Sequence, residues 1–228
     1  MDKTELTSVS VRDVSRFRER IVSWFEHYGR EYPWRKTKDP FMVLISEMML
    51  RRTKAEQVVQ VYERFVRKFP DVESLAGADI EDLNKILYPL GLRWRNPSFG
   101  LMAREVQEKY HSKIPDRRED LLSLPGIGEY VAGAVLSIAF GKNEWLVDSN
   151  IVRIFKRYFG VTSSKEGRRD KHIIEIAKDY IMGNEPGKAV MGILDLTSLI
   201  CKPVKPLCYE CTLKETCSYF INNYSSDN

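Results

Sequence analysis

Apolar residues recur along this chain at the three- and four-residue spacing of an α-helix, and no period-two strand alternation rises above that signal. Residues 11–28 carry Phe17, Ile21, Val22, Trp24, Phe25 and Tyr28 at helical spacing with Arg and Glu between them, which predicts an amphipathic helix. Tyr32-Pro33-Trp34-Arg35 reads as a loop, and Asp39-Pro40 as the N-cap and first position of a helix over about 41–51. Thr53 and Glu56 have capping-box spacing for a helix to about Lys68, buried along Val58, Val59, Val61, Tyr62, Phe65 and Val66. Asp71 and Asp79 are N-cap candidates for short helices before Tyr88-Pro89. A helix over 98–111 then leads through Pro115 to another short one. Later helices are predicted at 149–158, 170–182 and 186–200, with a polar loop at 163–169. The prediction is an all-α protein without internal repeats.

The rest of the chain is organised around Leu124-Pro125-Gly126-Ile127-Gly128-Glu129-Tyr130. Its two glycines fit a tight turn between two helices, where consecutive backbone N–H groups point outward and can cradle a phosphate oxygen. An ordinary αα-hairpin turn capped by glycine has the same signature. The apolar run from Tyr130 to Phe140 reads as a buried helix, far below the roughly 18 residues that suggest a membrane span. Asp148 follows at a helix start before Ile151, Val152, Ile154 and Phe155, where it is placed to act as an N-cap.

Two other stretches stand out. Glu47 lies within the apolar segment Ile45-Ser46-Glu47-Met48-Met49-Leu50, so it is hydrogen-bonded, points to solvent or lines a polar cavity. The loop Gly91-Leu92-Arg93-Trp94-Arg95-Asn96-Pro97 sets apolar and aromatic residues among cations; Leu92 and Trp94 need either core anchoring or a partner.

Composition narrows the class. With 228 residues, 43% hydrophobic and 30% charged, the chain reads as one globule of two lobes, and a net charge of +4 permits a nucleic-acid partner without demanding one. The polar stretch from Met1 to Ser10 lacks the apolar centre of a signal peptide, so a cytoplasmic, nucleoid-associated location and no membrane are expected. All four cysteines fall late, as Cys201-x6-Cys208-x2-Cys211-x5-Cys217. In a reducing compartment that pattern favours a metal centre over disulfides, and the spacing alone suits zinc or an iron–sulfur cluster.

Tyr32-Pro33-Trp34-Arg35, the segment from Ser46 to Thr53, the glycine hairpin, Val147-Asp148-Ser149-Asn150 and the cysteine loop occur together in one order. That set resembles the helix-hairpin-helix DNA glycosylases of the endonuclease III class, from about residue 20 to Cys217. The branch it resembles most is the mismatch-specific thymine glycosylases, sister to the A/G-mismatch adenine glycosylases. The resemblance implies a six-helix barrel over 31–139 and a second lobe from 1–30 plus 140–228, with the target base received between them. It also implies a structural [4Fe–4S] cluster on Cys201, Cys208, Cys211 and Cys217, and a monomer acting on double-stranded DNA with a mismatched or damaged base.

By the same resemblance, Gly126, Ile127 and Gly128 grip DNA. Arg51, beside Arg52, matches the residue that plugs the hole left by the flipped base, a position often occupied by Gln. Leu92 matches the opposing wedge. Asp148 matches the catalytic aspartate, which stabilises a sugar cation and positions water. Tyr130 stands where bifunctional relatives carry a Schiff-base lysine, which implies a monofunctional enzyme leaving an intact abasic site. Glu47 matches the residue that protonates adenine in the sister branch. Against an adenine substrate stand Tyr130, where that branch usually has Ser, and a chain end eleven residues after Cys217, without room for the further domain those enzymes usually add. Trp94 and Glu129 depart from the family pattern, and an acid beside a phosphate nest costs affinity unless it turns away. Removal of thymine or uracil opposite guanine is therefore expected. Adenine excision from A·G or A·8-oxoguanine pairs and a non-catalytic DNA-binding module are the alternatives.

Overall fold

The computed structural model describes residues 9–164 and 166–224; most of the N-terminal decapeptide behind the localisation expectation lies outside them. The α-helices, in order, are α1 (Val11–Tyr28), α2 (Pro40–Leu50), α3 (Ala55–Lys68), α4 (Val72–Ala76), α5 (Ile80–Leu87), α6 (Pro97–Tyr110), α7 (Arg118–Ser123), α8 (Glu129–Ile138), α9 (Ser149–Phe159), α10 (Lys171–Ile181), α11 (Pro186–Leu199) and α12 (Ser218–Tyr224). Among the described residues there is no strand, and no helix is long and apolar enough to cross a membrane. The chain divides into two compact units, one being Glu31–Lys142 and the other the chain up to Arg30 together with everything from Asn143 onward.

In Glu31–Lys142 the two most apolar helices, α2 and α8, pack on each other. Neither has a polar face wide enough for water, so both are buried almost all round. Leu44, Ile45 and Met49 from α2 and Ala132, Val135 and Leu136 from α8 are fully enclosed, with Phe65, Leu75, Phe99 and Met102 around them. Helix α4 lies on α6, and α3 on α2 and α5. The Tyr32-Pro33-Trp34-Arg35 stretch forms a 3₁₀ turn over Pro33–Arg35. Its Tyr32 and Trp34 rings stack 4.8 Å apart, and Tyr62 meets Trp34 edge-on at 5.4 Å.

In the other unit, α1 packs on α10 and α11. Phe17 is the hub: Tyr158, Phe159, Tyr180 and Phe155 surround it at centroid distances of 4.4, 5.1, 5.7 and 6.0 Å. A side chain at Gly192 would sit 2.9 Å from Ile21, so glycine lets α11 approach α1. Fully buried Asp195 of α11 then accepts from the Arg30 backbone N–H at 2.8 Å and from its guanidinium at 2.9 and 2.7 Å. That pair fixes the chain where α1 has ended.

The predicted N-caps Asp39, Asp71 and Asp79 accept the backbone N–H groups expected of them, Asp71 within a capping box with Ser74; Asp170 also caps α10. The capping box expected of Thr53 and Glu56 does not form. The chain takes a left-handed step at Arg52 (φ 58°), so α3 starts behind Lys54 without a side-chain cap. Thr53 instead accepts from Arg95, and Glu56 accepts from the Tyr32 hydroxyl at 3.0 Å. Apolar spacing does not predict helix α12, because its apolar residues are aromatics in a short tail with no long periodic run.

Removing the buried charge should expose how much the Arg30–Asp195 pair holds. Asp195→Asn is expected to cost about 3 kcal/mol of unfolding free energy, since an arginine would lose its counter-ion. A lowered urea midpoint with unchanged slope is the expected result; a change under about 0.5 kcal/mol would show that the pair is dispensable.

Candidate functional site

Asp148 is the half-buried N-cap of α9. Its Oδ1 accepts the backbone N–H groups of Asn150 and Ile151 at 2.9 and 2.8 Å, and its Oδ2 accepts from Asn150 Nδ2 at 2.7 Å. The carboxylate is thus held in one orientation by three donors, with acceptor capacity left on Oδ2. Asn150 is itself fixed, its Oδ1 accepting from Arg153 Nη1 at 2.9 Å. Arg153 donates onward to the Cys201 carbonyl at 3.0 Å and the Thr197 carbonyl at 2.9 Å. Burial draws the Arg153 guanidinium below its ordinary pKa, against an upward pull from Cys201. A continuous chain of hydrogen bonds therefore joins Asp148 to the start of the cysteine loop.

The four cysteines are free and half-buried in that loop. Arg157, one turn after Arg153, donates to the Lys202 carbonyl at 2.6 Å and the Pro203 carbonyl at 3.1 Å, lies 3.5 Å from Cys201 Sγ, and stacks over Tyr219 at 5.0 Å. Burial pushes the Cys211 thiol up to about 11, and raises Cys208 and Cys217, each further raised by neighbouring thiols. The four sulfurs thus share one electrostatic neighbourhood. Among the described residues no three His, Cys, Asp or Glu side chains are grouped to hold a single metal ion.

In Glu31–Lys142 the glycine hairpin joins α7 to α8. Gly126 has φ +81°, and a Cβ there would lie 2.8 Å from Ser98, so both conformation and space require glycine. Ile127 is buried and its N–H bonds to the Leu124 carbonyl at 3.2 Å, which anchors the turn. Gly128 is different. It has an ordinary extended conformation (φ −125°), is exposed, and nothing in the protein lies within 4 Å of the position its Cβ would take. Packing does not demand glycine there; Gly128 is the N-cap of α8, whose first turn carries no side-chain cap and is open to the outside.

Arg51 closes α2 and donates from Nη1 to the Gly126 carbonyl at 2.6 Å, so the segment after α2 is tied to the hairpin. Arg52 beside it is exposed in the left-handed region, as is half-buried Leu92 (φ 52°). Trp94 is 66% exposed, which answers the alternative of core anchoring for that residue. Glu47 is only 4% exposed, so the outward-facing reading fails. Tyr130, on the first turn of α8, is half-buried and packs against the core. Glu129 does turn aside: its carboxylate takes Arg118 Nη1 at 2.7 Å, neutralising the acid beside the nest.

The structure thus gathers Arg51, Arg52, Leu92, Gly126 and Gly128 in one unit, and Asp148 with Cys201, Cys208, Cys211 and Cys217 in the other. Sequence reasoning missed Arg95, Arg118, Arg153 and Arg157. The last two were legible as a pair of cations four residues apart on α9; the others were hidden because their partners are distant in sequence.

With this geometry in place, comparison with known proteins is decisive. The chain belongs to the HhH-GPD superfamily of base excision DNA repair proteins, matching it over residues 45–179. It is 36% identical to the thymine-DNA glycosylase of Aeropyrum pernix, over 92% of this chain and 96% of that protein. It is 34% identical to the thymine/uracil-DNA glycosylase of Methanothermobacter thermautotrophicus, over 88% and 91%. The adenine DNA glycosylase of Buchnera aphidicola subsp. Baizongia pistaciae is 30% identical, over 91% of this chain and 59% of that protein. Its backbone superposes on a thermostable thymine-DNA glycosylase with TM-score 0.87 at 32% identity, covering 92% of this chain and 98% of the other. An endonuclease III–DNA complex shares the fold, with TM-score 0.77 at 20% identity and coverage of 94% and 98%. The all-α helix-hairpin-helix expectation therefore holds.

Gly128→Ala tests the hairpin. Its folding stability should change by less than about 1 kcal/mol, the scale of an N-cap change, while affinity for undamaged duplex in a mobility-shift titration should drop by roughly an order of magnitude, as expected when a charge-assisted contact is lost. Wild-type affinity in the variant would mean that DNA does not approach this face.

Proposed function

We propose that this chain is a monofunctional base-excision DNA glycosylase that flips thymine or uracil out of a pair with guanine and hydrolyses its N-glycosidic bond. The observation that carries the reading is the threefold-anchored carboxylate of Asp148 in a chain whose relatives of nearly equal length are thymine and thymine/uracil glycosylases. Heterolysis of the bond between the base and the sugar leaves the electron pair on the base and positive charge on the sugar. A carboxylate fixed in advance stabilises that charge without having to reorganise. Water then adds to the sugar carbon and gives up its proton, for which the remaining Oδ2 lone pair of Asp148 is an acceptor.

The other residues take supporting roles. The uncapped start of α8 and exposed Gly128 receive a phosphate. The strained Arg52 and Leu92 positions and the Arg51 segment enter the duplex, where the cost of opening a wobble pair is least. Tyr130 has a phenol where a Schiff base would need an amine, so no strand scission accompanies excision. Buried Glu47 accepts from the pyrimidine N3–H or orders water. The same burial is the one feature favouring adenine removal, where an acid must protonate the base.

Cys201, Cys208, Cys211 and Cys217 would hold a [4Fe–4S] cluster. The donor set fits: four thiols of one loop lie within each other's electrostatic reach, with Arg157 beside Cys201 to offset thiolate charge. The cluster would shape the loop and takes no part in bond breaking.

Single-turnover assays on G·T, G·U, A·G, A·8-oxoguanine and A·T duplexes should show pyrimidine loss from the first two only, with no borohydride-trapped adduct. Processing of A·G with G·T and G·U both inert would transfer the assignment to adenine and make Glu47 the principal acid; efficient trapping would reveal a lysine nucleophile. Anaerobically purified protein should be brown and carry about four irons per chain, as four cysteines on one cubane require. Stoichiometric zinc without iron would reject the cluster.

A further inference from the structure

Arg95 is 3% exposed, yet its partners are neutral oxygens: Nη1 donates to the Arg51 carbonyl at 2.5 Å and Nη2 to Thr53 Oγ1 at 3.0 Å. Burying a guanidinium with no carboxylate is a poor way to gain stability, because desolvation is only partly returned by carbonyl and hydroxyl acceptors. Here the Arg51 side-chain charge lies nearby as well and adds repulsion. What Arg95 does achieve is connection. It stands at the end of the 3₁₀ turn Arg93–Arg95, directly after left-handed Leu92, and grips the short segment between α2 and α3 on both sides of left-handed Arg52. Arg51 in turn donates to the Gly126 carbonyl of the hairpin. Three surface loops, remote in sequence, are thereby bound into one body by two guanidinium groups.

The exposed parts of these loops are cationic and aromatic: Arg52, Arg93 and Trp94 face solvent, with Arg93 over the Tyr88 ring at 4.5 Å. Two non-glycine residues held in the left-handed region are backbone strain that the surrounding structure must enforce. Arg95 is the group that enforces it from below, since its two donors bracket Arg52 and its own backbone follows Leu92.

We propose that Arg95 is a positioning residue for base flipping: it locks the Arg51–Thr53 and Leu92–Arg95 loops to each other so that both enter the duplex as one rigid wedge. This rests on the reading above that these loops open the helix. The lock holds the loops against the stacking free energy of the bases, so its loss should matter where a base has to be extracted and matter little where the base is already unpaired. Arg95 touches neither sugar nor base, and its effect is confined to the opening step.

The test uses Thr53→Val, which removes one acceptor without adding a buried charge, and Arg95→Lys, which keeps the charge but cannot bridge both acceptors. Each is compared with wild type after melting temperatures establish that it folds. The first readout is fluorescence of 2-aminopurine placed beside a G·U pair, which reports unstacking on binding irrespective of excision. The second is single-turnover excision of uracil from a G·U duplex and from an unpaired loop. Wild type should unstack the probe. Both variants should lose most of that signal and excise from duplex roughly ten- to a hundredfold more slowly, as expected for misplaced positioning groups, while remaining within about threefold of wild type on the unpaired uracil. Undiminished unstacking in both variants, or an equal loss on duplex and unpaired substrates, overturns the proposal. A wild-type protein that unstacks the probe but excises nothing would contradict the glycosylase reading and leave the fluorescence comparison to decide this one.

Discussion

The hydrogen-bonded sequence Asp148–Asn150–Arg153–Cys201 is the constraint on which the chemistry proposed for this protein depends. A carboxylate that is to stabilise a short-lived sugar cation must already point where the charge will appear. Here it is aimed by two backbone N–H groups of α9 and by the Asn150 amide. Asn150 is aimed by Arg153, and Arg153 is aimed by carbonyls at the end of α11 and the first cysteine. The conformation of the loop around Cys201 is therefore transmitted to Asp148 over short, charge-assisted contacts. The [4Fe–4S] cluster proposed for the cysteines would, in a reaction that needs no redox step, serve to fix the last acceptor in the series.

The same device recurs in Glu31–Lys142. There the framework is apolar, with α2 packed against α8. Arg51 and Arg95 are added to it at the ends of helices, where their donors satisfy carbonyls and a hydroxyl of the connecting loops. Glu129 shows the complementary case. An acid at the first position of α8 interacts favourably with the helix dipole, and Arg118 pairs with it at 2.7 Å.

Much of this was legible in the sequence. Helix positions followed from apolar spacing, and the Asp39, Asp71, Asp79 and Asp148 caps formed because Asp in a non-helical backbone accepts the next free N–H groups wherever the chain is locally unconstrained. Thr53 failed as a cap for the opposite reason: Arg95, more than forty residues away, recruits its hydroxyl. Glu47 could not be assigned a direction from a helix that is apolar on every side, since such a helix has no solvent face to predict. Asp148 as a cap was readable from the motif; that its second oxygen is tied through two side chains to Cys201 was not, because those contacts depend on how α9 packs beside α11.

The central claim is that Asp148 acts on the sugar in addition to capping α9. Asparagine caps a helix about as well as aspartate, so Asp148→Asn keeps the backbone contacts and removes the charge. Binding to a G·U duplex and the single-turnover excision rate should be measured on the same preparation. The account predicts affinity within about threefold of wild type and a rate lower by roughly two orders of magnitude, the scale of losing one preorganised electrostatic stabiliser. Weakened binding with an unchanged single-turnover rate would contradict it and leave Asp148 a helix cap alone.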